Sequence, residues 1–193
     1  MRRTAARLVA LAVAATLLPA GAANAAEHTV RDARGDVVAV NPETDEQTPS
    51  DVANGDIVRA RFIHGQRAFV LRAKFRSLDR KGSVVRGDFI RITTNDRVRR
   101  NVEVWAAPAN WDGTAHFKRP NGDVVMCQIS HRINYGKNTL TVRVPRTCLQ
   151  NPRWIRVGFG SVWGDGSTLF MDDAQRNGTI KGKLALSPRI RRG

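Results

Sequence analysis

The chain has 193 residues, in which 32 lysines and arginines face 17 acidic residues, for a formal net charge of +15. A chain of this length can bury a sizeable core in one domain, whereas two domains would be cramped. No apolar stretch approaches the ~20 residues that a membrane-spanning helix requires, so we expect no permanent membrane anchor of that kind.

The N-terminal segment has the order of a secretory signal peptide. Three arginines within the first seven residues precede an apolar run from Leu8 to Leu18, and the small-residue triplet Ala23-Asn24-Ala25 follows. This is the A-x-A form that signal peptidase accepts. We therefore predict a signal peptide over residues 1–25 and a secreted, extracellular domain over residues 26–193.

Beyond this leader, the hydrophobic period is two far more often than 3.6, which indicates strands. Val58, Ala60 and Phe62, for example, alternate with Arg59 and Arg61. Eight or nine short strands separated by turns predict an all-β fold, a two-sheet antiparallel β-sandwich of immunoglobulin-like or jelly-roll-like layout. The predicted strands, in chain order, are residues 36–40, 58–62, 69–75, 84–94, 98–107, 124–134, 139–144 and 154–162.

Turn chemistry separates these segments. Residues 64–67 are predicted to connect two strands as a hairpin. The segments Pro120 to Asp123 and Tyr135 to Asn138 place Gly or Asn where a positive φ is favoured. The second of them predicts a hairpin between segments 124–134 and 139–144.

The two cysteines, Cys127 and Cys148, both lie in the predicted exported part. An even count in an exported chain usually means a disulfide. The bridge would close a loop of about 22 residues, worth roughly 3 kcal/mol in the chain-entropy model. It would tie the open end of the predicted hairpin, and the cysteines lack the C-x-x-C or histidine spacing of a redox or metal site.

Several runs resemble small secreted β-sandwich proteins encoded in actinobacterial genomes. These runs are Asp32 to Val37, Ser130 to Tyr135, Val142 to Leu149 and Asn151 to Gly158. The resemblance covers most of the predicted mature region, implies secretion and a disulfide, and carries over no catalytic residue.

The strong positive charge points to a polyanionic partner. The predicted leader carries three arginines and no acid, so the mature chain keeps +12 of the net charge. We expect binding to an anionic cell-wall polymer or glycan; nucleic acid is not the expected partner, because no recognised nucleic-acid motif is present. The alternative is that GC-rich coding, and not a binding function, explains the excess of arginine, since the 26 arginines are spread singly along the strands.

The one local basic cluster lies in a C-terminal tail over residues 187–193. Within it, Arg191 and Arg192 are candidate ligand-binding residues. A frayed, solvated tail explains this cluster equally well.

Clustered aspartates are the candidate metal ligands. Asp165, Asp172 and Asp173 fall in one Gly-rich stretch, and Asp32 and Asp36 fall in another. End loops of sandwiches can hold Ca²⁺ through acidic oxygens and backbone carbonyls. Neither group has EF-hand spacing, so turn formation and pairing with arginine is the alternative, and no other cofactor is expected.

Four tryptophans could supply a binding surface, since exposed rings stack on sugars or bases. Trp111, in a turn-rich segment, is expected to be the most exposed, and Trp163 is expected at a strand end before Gly164. The alternative is that they belong to the core or its rim, as Trp usually does in small β domains.

No catalytic constellation is evident. The stretch from Gly158 to Gly164 has the wrong spacing for a serine nucleophile elbow, and the four histidines are scattered. We therefore expect a secreted, non-catalytic binding protein. An extracellular hydrolase without a recognisable motif and a structural or protein-partner-binding domain are the alternatives.

Overall fold

Two antiparallel sheets pack together in the computed structural model of the protein, which describes residues 26–80, 84–164 and 167–193. The predicted all-β, two-sheet architecture with one disulfide is confirmed. The predicted signal peptide lies outside the described residues.

The first sheet has five strands, numbered here in chain order along the whole molecule. Each strand pairs antiparallel with its neighbours, and the hairpin predicted around residues 64–67 joins β4 to β5. Across the sheet, the order is β1 (Ala26–Arg31), β4 (Ile57–His64), β5 (Ala68–Phe75), β10 (Thr139–Pro145) and β9 (Ser130–Asn134).

The second sheet has eight strands, and its long central strand pairs on both sides. The short C-terminal strand β13 (Ile190–Arg191) also pairs with that central strand. The remaining order is β3 (Gln47–Ser50), β2 (Val37–Val40), β12 (Leu169–Asp173), β11 (Trp154–Gly164), β6 (Val85–Thr94), β7 (Arg99–Ala107) and β8 (Asn110–Lys118).

The core lies between the sheets, where alternate residues of each strand point inward. The largest fully buried rings come from both sheets, and Phe75 of β5 meets Phe159 of β11 edge to face at 6.1 Å. The outward residues of β4 and β5 are basic, apart from the paired aliphatic residues Ile63 and Val70, as the period of two predicts. The half-exposed pattern of the first sheet therefore follows directly from the sequence.

The prediction of one strand over residues 124–134 is wrong for its first half. Only Ser130–Asn134 pairs with β10, while Val124 makes a single bridge to Lys118. Val124 and Met126 are exposed, at 63% and 95%, whereas Val125, Cys127 and Ile129 are partly buried against the core without pairing to the first sheet. The alternation there belongs to a loop whose anchor is the disulfide at Cys127.

The described residues contain thirteen strands, more than the eight or nine predicted, and two of them arise where the sequence predicts turns or loops. Strand β8 starts at Asn110 because a two-residue turn at Pro108 and Ala109 reverses the chain, with Ala109 at φ 71°. Strand β12 lies in the Gly-rich stretch and pairs with β2 and β11. Its aspartates therefore belong to a strand and not to an end loop.

The outer side of β11 is covered by the chain after β12. Ser187 exchanges two hydrogen bonds with Val157, at 2.9 and 3.0 Å. A side chain at Gly158 would collide with the carbonyl of Ala185, and one at Gly160 would collide with Leu184. Glycine is required here because another backbone approaches the strand closely.

The C-terminal tail is docked on the domain, so the interpretation of residues 187–193 as frayed is wrong. Ile190 is buried, the amide of Arg192 donates to Arg153, and the amide of Gly193 donates to His64. The guanidinium of Arg189 lies 4.7 Å from the ring centre of Trp154. Backbone pairing with β11 and burial of Ile190 hold the tail in place.

His64 couples the stability of this docked tail to pH. Its ring is fully buried, and Nδ1 lies 3.1 Å from the carbonyl oxygen of Ile190. Burial lowers the pKa of His64 below 6.5, and the nearby charges of Arg146 and Arg192 lower it further. The unfolded chain therefore binds a proton at a higher pH than the folded chain does.

We expect the contribution of His64 to the free energy of unfolding to fall as the pH drops through 6.5 towards the lower pKa of the folded state. The raised pKa values of Asp32 and Asp172 act in the opposite direction, so the loss is read as the difference between the unmodified protein and a His64 variant. Urea titrations between pH 8 and pH 5 measure this loss. In His64→Asn, whose amide can donate to Ile190, this loss should be absent. Equal slopes in the two proteins would contradict the assignment of this effect to His64.

Candidate functional site

The outer surface of the five-stranded sheet is strongly basic. Its outward positions carry one carboxylate, Glu27, and several hydroxyl groups, including those of Thr29 and Thr141. We call the cationic members the basic face, and these seven side chains are Arg31, Arg59, Arg61, Arg72, Lys74, Arg132 and Arg143.

The strand register places like charges directly opposite one another. Arg61 of β4 is paired with Arg72 of β5, and Arg59 is paired with Lys74. The row through Arg72 continues through Thr141 to Arg132 on the edge strand. Like charges in opposed positions destabilise a sheet. The fold thus contains electrostatic repulsion between neighbouring strands, which acidic residues on one of the two strands would have avoided.

Little within the described chain neutralises this face. Arg61 is paired with Glu27, with Nε 2.9 Å from Oε2, and Lys74 donates to the carbonyl of Lys137 at 2.7 Å. The exposed guanidinium groups of the basic face form no ion pair with another described residue; they are Arg31, Arg59, Arg72, Arg132 and Arg143.

A shallow groove of about 480 Å³ lies on the basic face. Arg59, Arg61, Arg72 and Lys74 line it together with hydroxyl groups from β1 and β10. Neighbouring strands are ~4.8 Å apart, so the groove offers donors at short, regular intervals to an extended anion.

A second site lies where the two sheets meet and consists of carboxylates. Asp32 and Asp36 belong to the loop between β1 and β2, and Asp172 belongs to β12. One carboxylate oxygen of each lies within 4.8 Å of one from each of the other two. We call these three residues the acidic cluster.

Each carboxylate of the acidic cluster is held by one backbone amide. Ala33 donates to Asp32 Oδ1 at 3.1 Å, Gly178 donates to Asp36 Oδ2 at 3.2 Å, and Ile57 donates to Asp172 Oδ2 at 2.7 Å. The other oxygen of each is buried and has no hydrogen-bond partner among the described residues. The amides thus orient the carboxylates but satisfy only half of their oxygens.

The electrostatics of the acidic cluster disfavour three negative charges. Burial, with the charges of Asp172 and Asp36, raises the pKa of Asp32 to about 9. Burial likewise raises the pKa of Asp172 to about 8. The hydrogen bond from the amide of Ile57 lowers this pKa, while the charges of Asp36 and Asp56 raise it. Burial also raises the pKa of Asp36. A cation or protons must offset this charge.

No family model, curated protein or solved structure matches the chain.

Within residues 26–80, 84–164 and 167–193, no helix has the length and hydrophobicity that a membrane span requires.

The residues predicted to bind a metal do not all lie at one site. Asp165 lies outside the described residues, and Asp172 joins Asp32 and Asp36. Asp173 turns to Arg176, with Oδ2 2.5 Å from Nη1, and also accepts the amide of Ala185. The sequence identified both Asp-containing stretches, but it could not show that one member of the first would meet the second.

The prediction that Trp111 is the most exposed tryptophan is wrong. Its ring is half-buried against the core and meets Tyr135 edge to face at 6.1 Å, because β8 carries it inward. Trp163, also half-buried, stacks on Phe170 with ring centres 4.3 Å apart. Trp105 is the exposed ring, at 37%. None of these rings lies on the basic face.

The candidate tail residues Arg191 and Arg192 are exposed at the docked C-terminus. Their backbone is held by β11 and by Arg153, so both guanidinium groups extend from a fixed position. Their role in binding stays a prediction.

The histidines occupy separate surroundings. His64 is buried beneath the tail, His131 Nε2 contacts the carbonyl of Asp112, and His28 stacks on Phe62. His116 lies on β8 opposite Glu103 of β7.

Proposed function

We propose that the protein is exported and binds an anionic polymer of the cell envelope through the basic face. The observation that supports this most strongly is the cross-strand register, in which Arg61 opposes Arg72 and Arg59 opposes Lys74. Such pairs repel each other unless an anion lies over them. A bound polymer would turn this repulsion into binding energy, because each bridging anion contacts two strands.

The shape of the face favours a polymer over a small anion. The row from Arg61 through Arg72 to Arg132 spans four strands, so its ends are ~15 Å apart. A single phosphate or carboxylate would contact only two of these groups. A chain with repeating negative charges can contact the whole row, and the threonine hydroxyls between the cations can donate to it.

The chemistry of the face also distinguishes among polyanions. Apart from Glu27, its outward residues are basic, hydroxyl, amide or aliphatic, and none of them is aromatic. Binding of single-stranded nucleic acid usually combines basic groups with aromatic rings that stack on the bases. The basic face lacks those rings, which favours a polymer recognised through its charges alone. Export and the disulfide agree with an envelope location.

The test is retention of the oxidised protein, residues 26–193, on immobilised teichoic acid, a phosphodiester polymer. With four to six contacts, we expect the affinity to fall about 100-fold between 50 and 200 mM salt. The variant Arg59→Gln/Arg72→Gln should bind more weakly at every salt concentration and should reduce the slope of log K against log salt by about 2.

A matched control removes two exposed charges from the other side of the molecule. Arg99 lies on β7 and Lys183 lies in the segment beside β11. The variant Arg99→Gln/Lys183→Gln should retain the affinity and slope of the unmodified protein. No retention at 50 mM salt, equal losses in both variants, or tighter binding to single-stranded DNA would overturn the proposal.

A further inference from the structure

We infer that the acidic cluster of Asp32, Asp36 and Asp172 is a calcium site that joins the two sheets. This inference is separate from the proposed polymer binding, because the acidic cluster lies at the sheet junction and shares no residue with the basic face.

The donor set fits a hard divalent cation. All three candidate ligands are carboxylates, and neither histidine nor cysteine belongs to the acidic cluster. Ca²⁺ binds oxygens at about 2.3–2.6 Å, so two ligands on opposite sides are separated by up to about 5 Å. The oxygens of the acidic cluster lie within 4.8 Å of one another, which one ion of this size can bridge.

An independent observation comes from Asp172, which is only 3% exposed. Its Oδ2 is held at 2.7 Å by the amide of Ile57, and its buried Oδ1 has no hydrogen-bond partner among the described residues. A carboxylate oxygen buried without a partner costs free energy. A ligand of opposite charge at the acidic cluster removes that cost.

No described basic side chain forms an ion pair with the acidic cluster, so its charge is available to an external cation. The neighbouring carboxylate of Asp56 is 3.5 Å from Arg76 and accepts the amide of Gly35. In contrast, none of the three members forms an ion pair within the described ranges. Asp32 and Asp36 are only half-buried, so an ion can enter from solvent.

A calcium ion here would have a structural effect. The loop carrying Asp32 and Asp36 runs from β1 in the five-stranded sheet to β2 in the eight-stranded sheet, and Asp172 lies on the neighbouring strand β12. One ion would therefore fasten the crossing between the sheets to the second sheet.

The experiment is thermal unfolding of the oxidised protein, residues 26–193, in EDTA, in 10 mM CaCl₂ and in 10 mM MgCl₂ at constant ionic strength and pH. For a dissociation constant of 10⁻⁴–10⁻³ M, typical of extracellular modules, Ca²⁺ should raise the melting temperature by about 3–10 °C. Mg²⁺ should raise it less, because Mg²⁺ demands a tighter octahedral geometry.

The decisive variant is Asp172→Asn, which keeps the shape of the side chain and removes one buried charge. In EDTA it should fold with a melting temperature at or above that of the unmodified protein, and Ca²⁺ should no longer shift it. The matched control is Asp45→Asn, in an exposed loop at φ 58°, a conformation that Asn tolerates. It should retain the full Ca²⁺ shift.

Three results would overturn the inference. The first is no Ca²⁺ shift in the unmodified protein, which would mean that protons neutralise the acidic cluster. The second is an equal shift with Mg²⁺, and the third is an undiminished Ca²⁺ shift in Asp172→Asn. None of these measurements involves polymer, so they leave the proposed function untouched.

Discussion

Asp88→Ala is expected to destabilise the protein by about 3–5 kcal/mol, because it leaves a buried guanidinium without its partner. Asp88 is fully buried and Arg86 is 3% exposed. Arg86 binds the carboxylate through two nitrogens, with Nε 3.0 Å from Oδ2 and Nη2 2.6 Å from Oδ1, and its guanidinium lies 4.4 Å from the ring centre of Phe75. Urea unfolding monitored by circular dichroism measures the loss.

A double variant separates the effect of the unpaired charge from that of lost packing. Arg86→Met/Asp88→Leu removes both charges and retains apolar volume, so it should recover most of the stability lost in Asp88→Ala. A loss below about 1 kcal/mol in Asp88→Ala, or a double variant less stable than the single one, would contradict this account of the pair.

Replacing both cysteines with alanine is expected to cost about 3 kcal/mol, since the bridge closes a loop with a sequence separation of 21. For a domain of this size, this corresponds to a fall in melting temperature of about 6–12 °C. The measurement is equilibrium unfolding of the unmodified protein and of Cys127→Ala/Cys148→Ala, each with and without dithiothreitol.

The reductant provides the control. It should destabilise the unmodified protein to the level of the double variant and leave the variant unchanged. Equal stabilities of the oxidised protein and the variant would contradict a stabilising role. The physical reason for that role is local: residues 124–129 make few backbone hydrogen bonds to the sheets, and the bridge from Cys127 to Cys148 holds them to the short 3₁₀ helix Arg146–Leu149.

Local patterns were enough to predict most of the strands. The alternation along β4 and β5, the hairpin between them and the pairing of β9 with β10 were all predictable, because side chains of a half-buried strand alternate between core and solvent. The disulfide was predictable from the count of cysteines and their flanking strands.

The errors arose where pairing partners outweighed local residue preference. Strand β8 contains Gly113 and begins in a segment with turn-forming residues, yet it pairs along β7 and carries Trp111 inward. Strand β12 is short, and it becomes a strand because β2 and β11 lie on either side of it. Strand β11 directly precedes β12 in the chain, but β2 lies far away in sequence, so no local pattern predicts the pairing of β12 with β2.

By itself, therefore, the sequence determined the all-β class, the hairpins, the disulfide and the excess of positive charge. Only the tertiary structure decided which charges face one another. The basic face depends on the register that sets Arg61 opposite Arg72, and the acidic cluster depends on a crossing that brings Asp32 and Asp36 to Asp172. The physical reason is that alternation is a property of each strand, whereas electrostatic energy depends on distances between strands that only the packed sheets define.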